Sequence, residues 1–307
     1  MDYELIIIGG GPAGAGAAVY AARKRLKSLL ITKEFGGQST VSEDIQNWIG
    51  TPHIAGTKLA ENLEAHVREY ADDVLDIEND IATKVEKIDD GVRVTTENGK
   101  EVTAKALLIT TGSDRRKLPA KGADEFEHKG LTYCASCDGP LFSGKDVFVI
   151  GGGNAGFETA AQLLAYVKSV TLIDFSETFK AEAITVQKVL ENPNITALNN
   201  IETLEIKGDM MVNAIVYKDR TTGEITEKQT DGIFVEIGQI PATEIVKDLV
   251  DRTDYNQVKI NPRTQRTSVD GIWAAGDCTD VLYHQNNIAV GDAVRALEDI
   301  YIWLRAS

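Results

Sequence analysis

Leu5-Ile6-Ile7-Ile8-Gly9-Gly10-Gly11-Pro12-Ala13-Gly14 is an apolar run that breaks into a glycine turn. Tyr3 to Ile8 reads as a buried strand, and an alanine-rich helix is predicted from Ala15 to about Lys24. A second strand follows over Ser28-Leu29-Leu30-Ile31-Thr32. Gly9, Gly11 and Gly14 then hold the three glycine positions of a β-α-β nucleotide-binding unit. The first permits the tight turn, the second lets a pyrophosphate approach the backbone, and the third lets helix and strand pack closely. The helix N-terminus faces the phosphates. Glu34 lies twenty residues after Gly14, where an acid would hold a ribose hydroxyl.

The pattern repeats. Asp146-Val147-Phe148-Val149-Ile150 leads into Gly151-Gly152-Gly153-Asn154-Ala155-Gly156, a helix from Phe157 to about Val167, and a strand over Ser169-Val170-Thr171-Leu172-Ile173. Gly151, Gly153 and Gly156 match Gly9, Gly11 and Gly14, and Asp174 follows Gly156 by eighteen residues. Two such units imply two dinucleotides, as a flavoprotein using a nicotinamide would need. The expected fold is α/β, with two Rossmann-like domains of the three-layer ββα kind.

Between the units lies Thr132-Tyr133-Cys134-Ala135-Ser136-Cys137-Asp138-Gly139-Pro140. Cys134 and Cys137 hold the spacing of a pair that closes a small disulfide ring and can cycle with a dithiol. Asp138 is placed to give a proton to a leaving thiolate or take it back. A structural zinc site would need about four ligands. The third cysteine, Cys278, is remote, and His53, His66, His128 and His284 lack zinc-like spacing, so no metal is expected. Two inert buried thiols are the other reading.

Further strands are predicted over 81–88, 92–96, 102–104 and 106–110, with a hairpin turn at Asn98-Gly99. A helical pattern spans 56–71, and a final helix runs from about Ala289 to Leu304. Strands also read over 195–198, 201–206, 212–217 and 232–237, and over the stretch that closes on Gly276-Asp277. The 307 residues suggest about two domains. A net charge of −15 argues against nucleic acid and anionic membrane as partners. No apolar run reaches transmembrane length, and no basic leader or cleavage site precedes the first strand, so the default expectation is cytoplasmic.

With these motifs assembled, the chain resembles the low-molecular-weight thioredoxin reductase family, especially the flavoprotein reductase portion of the alkyl hydroperoxide reductase system. The resemblance rests on both glycine fingerprints, Gly36-Gly37-Gln38, Thr111-Gly112, Cys134 to Pro140, and Ala274-Ala275-Gly276-Asp277-Cys278. It implies an FAD domain from 1–116 plus 246–307 and an inserted nicotinamide domain at 117–245 that carries the Cys pair. It also implies a homodimer and a rotation of one domain against the other. FAD would be held by Gly9, Gly11, Pro12, Ala13, Gly14 and Glu34, then Gly37, Gln38, Asn47, Lys84, Val85, Thr111 and Gly112. Gly276, Asp277, His284 and Gln285 complete that set. NADH would be held by Gly151, Gly153, Asn154, Gly156, Glu158, Asp174 and Gly238. Cys137 would lie nearer the flavin, with Cys134 as interchange thiol; which sulfur forms the mixed disulfide stays open. Cys278 is expected to pack near FAD.

The resemblance also marks departures. The family commonly has a long basic side chain where His284 stands. NADPH-using members carry a His-Arg-Arg cluster after the second fingerprint's strand; here the stretch is Asp174-Phe175-Ser176-Glu177, and Lys180 is the first cation. An acid at Asp174 would accept from a free 2′-hydroxyl and repel a 2′-phosphate, favouring NADH over NADPH; the alternative is a strand-end acid with no ligand. The expected acceptor is a thioredoxin, with a separate glutaredoxin-like carrier feeding a peroxiredoxin as the alternative. The sequence opens on the FAD strand, so electrons are expected to leave to a separate protein rather than to an attached thioredoxin-like carrier domain of the hydroperoxide kind. Two further readings are a reductase fed by ferredoxin or another donor, and a non-catalytic flavin or NAD(H) redox sensor.

Overall fold

The computed structural model describes residues 1–42, 44–71 and 73–306. The chain divides into two compact units, Met1–Asp114 with Ile240–Ser307, and Arg115–Gln239. The resemblance placed the borders at 116/117 and 245/246. Residues from 240 fall in the first unit because Ile245 and Val246 pack into its core beside Val250 and Val258.

In the first unit, strand Tyr3–Gly10 lies between Ser28–Phe35 and Glu101–Ile109, parallel to both. Leu75–Glu78 extends the sheet on one side; Gly91–Thr96 and Ala82–Ile88 extend it antiparallel on the other. Ile272–Ala274 pairs with the second half of Glu101–Ile109. That strand was expected as two pieces, 102–104 and 106–110. It is continuous because its first half has a hairpin partner and its second half a parallel one, and Ala104 and Ala106 are both buried. The middle of the first strand, Leu5 to Ile8, is apolar because both its faces are covered. Leu5 and Ile7 pack on helices Pro12–Arg23 and Asn286–Ala306, while Ile6 and Ile8 pack on Val85, Val92 and Val94 of the antiparallel strands. The alanines let the two helices approach closely: a Cβ on Gly16 would lie 3.2 Å from Val290.

The second unit repeats the plan. Its parallel strands stand in the spatial order Ile195–Leu198, Ser169–Ile173, Asp146–Ile150, Gly232–Val235, Leu131–Thr132. Val147 and Val149 face helix Asn154–Leu163 through Phe157, Ala160 and Leu163. Phe148 and Ile150 face a three-stranded antiparallel layer, Ile201–Gly208, Val212–Asp219 and Ile225–Gln229, through Ile206, Ile215 and Tyr217. Helix Ala183–Leu190 was not expected; it is only eight residues long and buries only Val189 fully. Each unit is thus a three-layer ββα sandwich. Among the described residues no helix is long and apolar enough to cross a membrane.

Candidate redox site and nucleotide cradles

In both units the chain order reverses beside the first strand of the fingerprint, and ligands of such sheets bind outside the strand ends at that switch point. In the first unit, Gly9 emerges there next to Thr110. A Cβ on Gly9 would lie 2.4 Å from the Thr110 carbonyl oxygen, and one on Gly14 only 1.7 Å from the Gly9 carbonyl oxygen. A Cβ on Gly11 would meet nothing within 4 Å. Gly11 caps helix Pro12–Arg23 without any side-chain cap, so the first helical N–H groups are left for a ligand.

A cleft of about 420 Å³ opens at this end. It is lined by Gly9, Gly11, Pro12, Ala13, Glu34, Gly37, Gln38, Thr111, Gly112 and Asp277, so the fold brings these expected residues together. Gln38 donates to Asp114 at 3.2 Å. Gly14 and Gly276 act in packing: a Cβ on Gly276, at φ +78°, would lie 3.3 Å from those of Ala13 and Ala289. Asn47 Nδ2 donates to Gln285 Oε1 at 3.0 Å, beside half-buried His284.

Lys84 and Val85 were expected at the flavin nucleotide but line neither this cleft nor the adjoining cavity of about 330 Å³. Lys84 is exposed and pairs with Glu86, and Val85 is turned into the core. The stretch just before them, Asp80 to Ala82, lines the adjoining cavity. Sequence reading also missed Ser39 and Asn286, which line the cleft and bond each other at 3.0 Å. The thiol of Cys278 is fully buried and donates to the Ala275 carbonyl at 3.4 Å. Burial pushes its pKa up to about 11, so it serves packing rather than thiolate chemistry.

The second cradle follows the same geometry. A Cβ on Gly151 would lie 2.2 Å from the Glu236 carbonyl oxygen, and one on Gly156 would lie 1.9 Å from that of Gly151. Gly153 is open and caps helix Asn154–Leu163 without a side-chain cap. Asn154 Oδ1 accepts from the Glu182 amide at 2.8 Å, and Glu158 is exposed on the helix. Gly238 has φ +97°, and its carbonyl accepts from the Arg116 amide. Asp174 accepts from the amides of Gly152 at 2.9 Å and Ser176 at 3.1 Å, one on each oxygen, and so secures the glycine loop. Each oxygen keeps capacity for a further donor. Arg220, which sequence reading did not single out, stacks 4.0 Å from the Phe175 ring centroid and donates to the Phe175 carbonyl and Asn200. Nothing local announces it; the turn after Val212–Asp219 delivers it.

Cys134 and Cys137 form a disulfide, with Cα atoms 5.3 Å apart. Cys134 begins the one-turn helix Ala135–Asp138, and its Sγ accepts from the Cys137 amide at 3.2 Å. That amide would favour a thiolate on Cys134 once the bond opens. The carboxylate of Asp138 accepts from the hydroxyl of buried Thr132, a partner the sequence reading did not single out. Gln162 donates to Ser136 at 2.9 Å, and Gly139 packs on Leu163 and Tyr166. These contacts seat the cysteine turn on the end of the helix whose other end is the second cradle.

The pyridine nucleotide-disulphide oxidoreductase family profile matches residues 3–293. The chain belongs to this family. This family member carries its cysteine pair and one candidate nucleotide cradle in a single unit. It is 41% identical over 294 residues to the NADH dehydrogenase of Bacillus subtilis (strain 168), and 40% identical over 296 residues to a component of the alkyl hydroperoxide reductase of Escherichia coli (strain K12). Both matches cover 96% of the chain but 57% of the relative, so the chain spans little more than half the length of these relatives. Among solved structures it resembles the thioredoxin reductase of Streptococcus pyogenes MGAS5005, with a TM-score of 0.91 and 32% identity, and that of Giardia duodenalis, with 0.93 and 30%. Each covers 99% of both chains.

Proposed function

We propose that the chain is an FAD-dependent disulfide reductase that takes electrons from NADH and reduces the disulfide of a thioredoxin-like protein through Cys134 and Cys137. The observation that carries this is the Cys134–Cys137 disulfide with Asp138 and Thr132 beside it, in a unit with its own dinucleotide cradle. The residues present fit both dinucleotides: each cradle has an uncapped helix N-terminus, an open middle glycine and a third glycine with no room for a side chain. In the first unit Gly9 to Gly14, Glu34, Thr111, Gly112 and Asp277 would hold FAD; in the second, Gly151 to Gly156 and Asp174 would hold NADH.

Bound FAD would supply the disulfide with an electron pair drawn from a nicotinamide hydride. Opening the Cys134–Cys137 bond takes two electrons and two protons and leaves two thiols. The Cys137 amide stabilises charge on the Cys134 sulfur, while Asp138, held by Thr132, delivers a proton to the released thiolate. In the outward half-reaction one thiolate attacks the acceptor disulfide, the second resolves the mixed disulfide, and the acceptor leaves as a dithiol. Asp138→Asn keeps the hydrogen bond and loses the proton, so reduction of a protein disulfide should fall about 100-fold, the lower end of general acid–base effects. Flavin bleaching by NADH should be unchanged.

The test of the whole reading is anaerobic titration of the FAD-loaded protein with NADH and, separately, NADPH, followed by addition of thioredoxin disulfide. Fast bleaching by NADH, slow bleaching by NADPH and stoichiometric thioredoxin reduction are expected. Equal bleaching by both would overturn the coenzyme preference, and bleaching by neither would remove the nicotinamide step. Asp174→Ala should lower the NADH-to-NADPH ratio of kcat/KM by about ten-fold, since the acid next to a 2′-phosphate is repulsive. The ratio is the readout because Asp174 also secures the Gly152 loop, whose loosening affects both coenzymes.

A further inference from the structure

Glu236 stands at the switch point of the second unit. Strand Gly232–Val235 runs parallel to Asp146–Ile150 with Val235 opposite Ile150, so the next residues, Glu236 and Gly151, leave the sheet side by side. Glu236 is half-buried, and its Oε1 accepts from the Thr159 hydroxyl at 2.8 Å. Thr159 lies on helix Asn154–Leu163, whose uncapped N-terminus belongs to the cradle. The first unit has a neutral residue at the same place. There Ile8 is opposite Ile109, and Thr110 stands beside Gly9 with its hydroxyl satisfied by the Ile8 carbonyl at 2.8 Å. The unit proposed to retain its cofactor has a threonine, and the unit that must exchange its coenzyme has an acid.

We infer that Glu236 is a proton-linked control on dinucleotide binding: its carboxyl is protonated when a pyrophosphate occupies the Gly151–Gly156 cradle, and its ionisation weakens the hold on the dinucleotide. The inference rests on the proposal that this cradle holds a nicotinamide dinucleotide. A carboxylate next to the first cradle glycine places a negative charge at the end of the sheet where the helix N-terminus would otherwise favour a phosphate. Thr159, Arg115 and Glu158 act on the Glu236 carboxyl. Thr159 is its hydrogen-bond partner, Arg115 favours the charged form, and Glu158 opposes it. Burial outweighs them and pushes the Glu236 carboxyl up to about 7. Ionisation therefore begins within the ordinary working range, and affinity should fall as pH rises through that value. By linkage the converse holds: a bound pyrophosphate must raise the affinity of Glu236 for its proton, so binding near neutrality takes up protons.

The test is calorimetric binding of ADP-ribose to the FAD-loaded protein, at about pH 6 and about pH 8 and in buffers of different ionisation enthalpy. ADP-ribose carries the pyrophosphate and no redox-active ring, and its pyrophosphate exchanges no proton in that interval. Wild-type protein should bind about five-fold or more tightly at the lower pH, the smaller end of ordinary coupling between sites, with net proton uptake near pH 7. Glu236→Gln should bind at both pH values with the affinity of the wild type at low pH, with no proton uptake from this group. Binding that is pH-independent in the wild type, or a pH dependence that survives in Glu236→Gln, overturns the inference and leaves the cradle intact. Absence of ADP-ribose binding at either pH overturns the cradle assignment as well. Retained flavin and an unchanged melting profile at low pH separate a misfolded Glu236→Gln from an informative one.

Discussion

Cys137→Ser should abolish reduction of a protein disulfide, while NADH should still bleach the flavin. The chemistry requires both sulfurs, because reducing the acceptor disulfide closes the Cys134–Cys137 bond and moves two electrons through that pair of sulfurs. Cys134→Ser and the double variant should therefore match Cys137→Ser, all falling to background; groups that act as a unit lose everything on the first deletion. The substitution replaces sulfur with oxygen in half-buried side chains of a one-turn helix, and Gln162–Ser136 and the Gly139 packing against Leu163 and Tyr166 remain to hold the turn. Two assays on the same sample decide it: thioredoxin reduction, and anaerobic bleaching by NADH. Residual thioredoxin reduction above background in the double variant would mean that electrons leave by another route, and the central proposal would fail.

Gly156→Val should remove nicotinamide use and leave FAD in place. A Cβ at Gly156 would stand 1.9 Å from the Gly151 carbonyl oxygen, which is backbone and cannot swing aside as a side chain could. Helix Asn154–Leu163 must then shift away from the strand, carrying its N-terminus out of line with the pyrophosphate. We expect at least a 100-fold loss of NADH affinity, about 2.8 kcal/mol. The first unit has its own core on both faces of its sheet, so flavin content and chemical reduction by dithionite should be unchanged. The mirror substitution, Gly14→Val, meets the Gly9 carbonyl at 1.7 Å and should instead yield protein without flavin. Loss of flavin from Gly156→Val would show that the two units do not keep separate cradles.

Both of these sites could be read from the chain because each is local. A fingerprint is a strand, a turn and a helix within about thirty residues, and its glycines are dictated by contacts inside that span. Gly9 and Gly14 meet through the carbonyl of Gly9 itself, and Gly151 and Gly156 meet in the same way. The cysteine pair closes a ring across three positions. The continuous apolar runs at 5–8 and 147–150 were equally plain, since a strand covered on both faces has no polar face to show.

Other parts of the site depend on partners far along the chain. Val85 and Lys84 were placed by resemblance at the nucleotide; the pleat turns Val85 into the core, and the stretch just before them, Asp80 to Ala82, lines the cavity. Arg220 comes to Phe175 from a distant turn, so a search for cations directly after the strand could not find it. Thr132 precedes Asp138 by six residues, yet its hydroxyl meets the carboxylate only because a short buried strand fixes its direction.

The sequence alone determined the two glycine fingerprints, the cysteine pair with its neighbouring acid, and the doubly covered sheets, because each follows from spacing and periodicity within one short stretch. Only the tertiary structure decided which residue stands beside each first glycine, Thr110 beside Gly9 and Glu236 beside Gly151. That depends on the register between strands separated by a long loop, and register is set by the packing of whole layers rather than by the residues at the strand end.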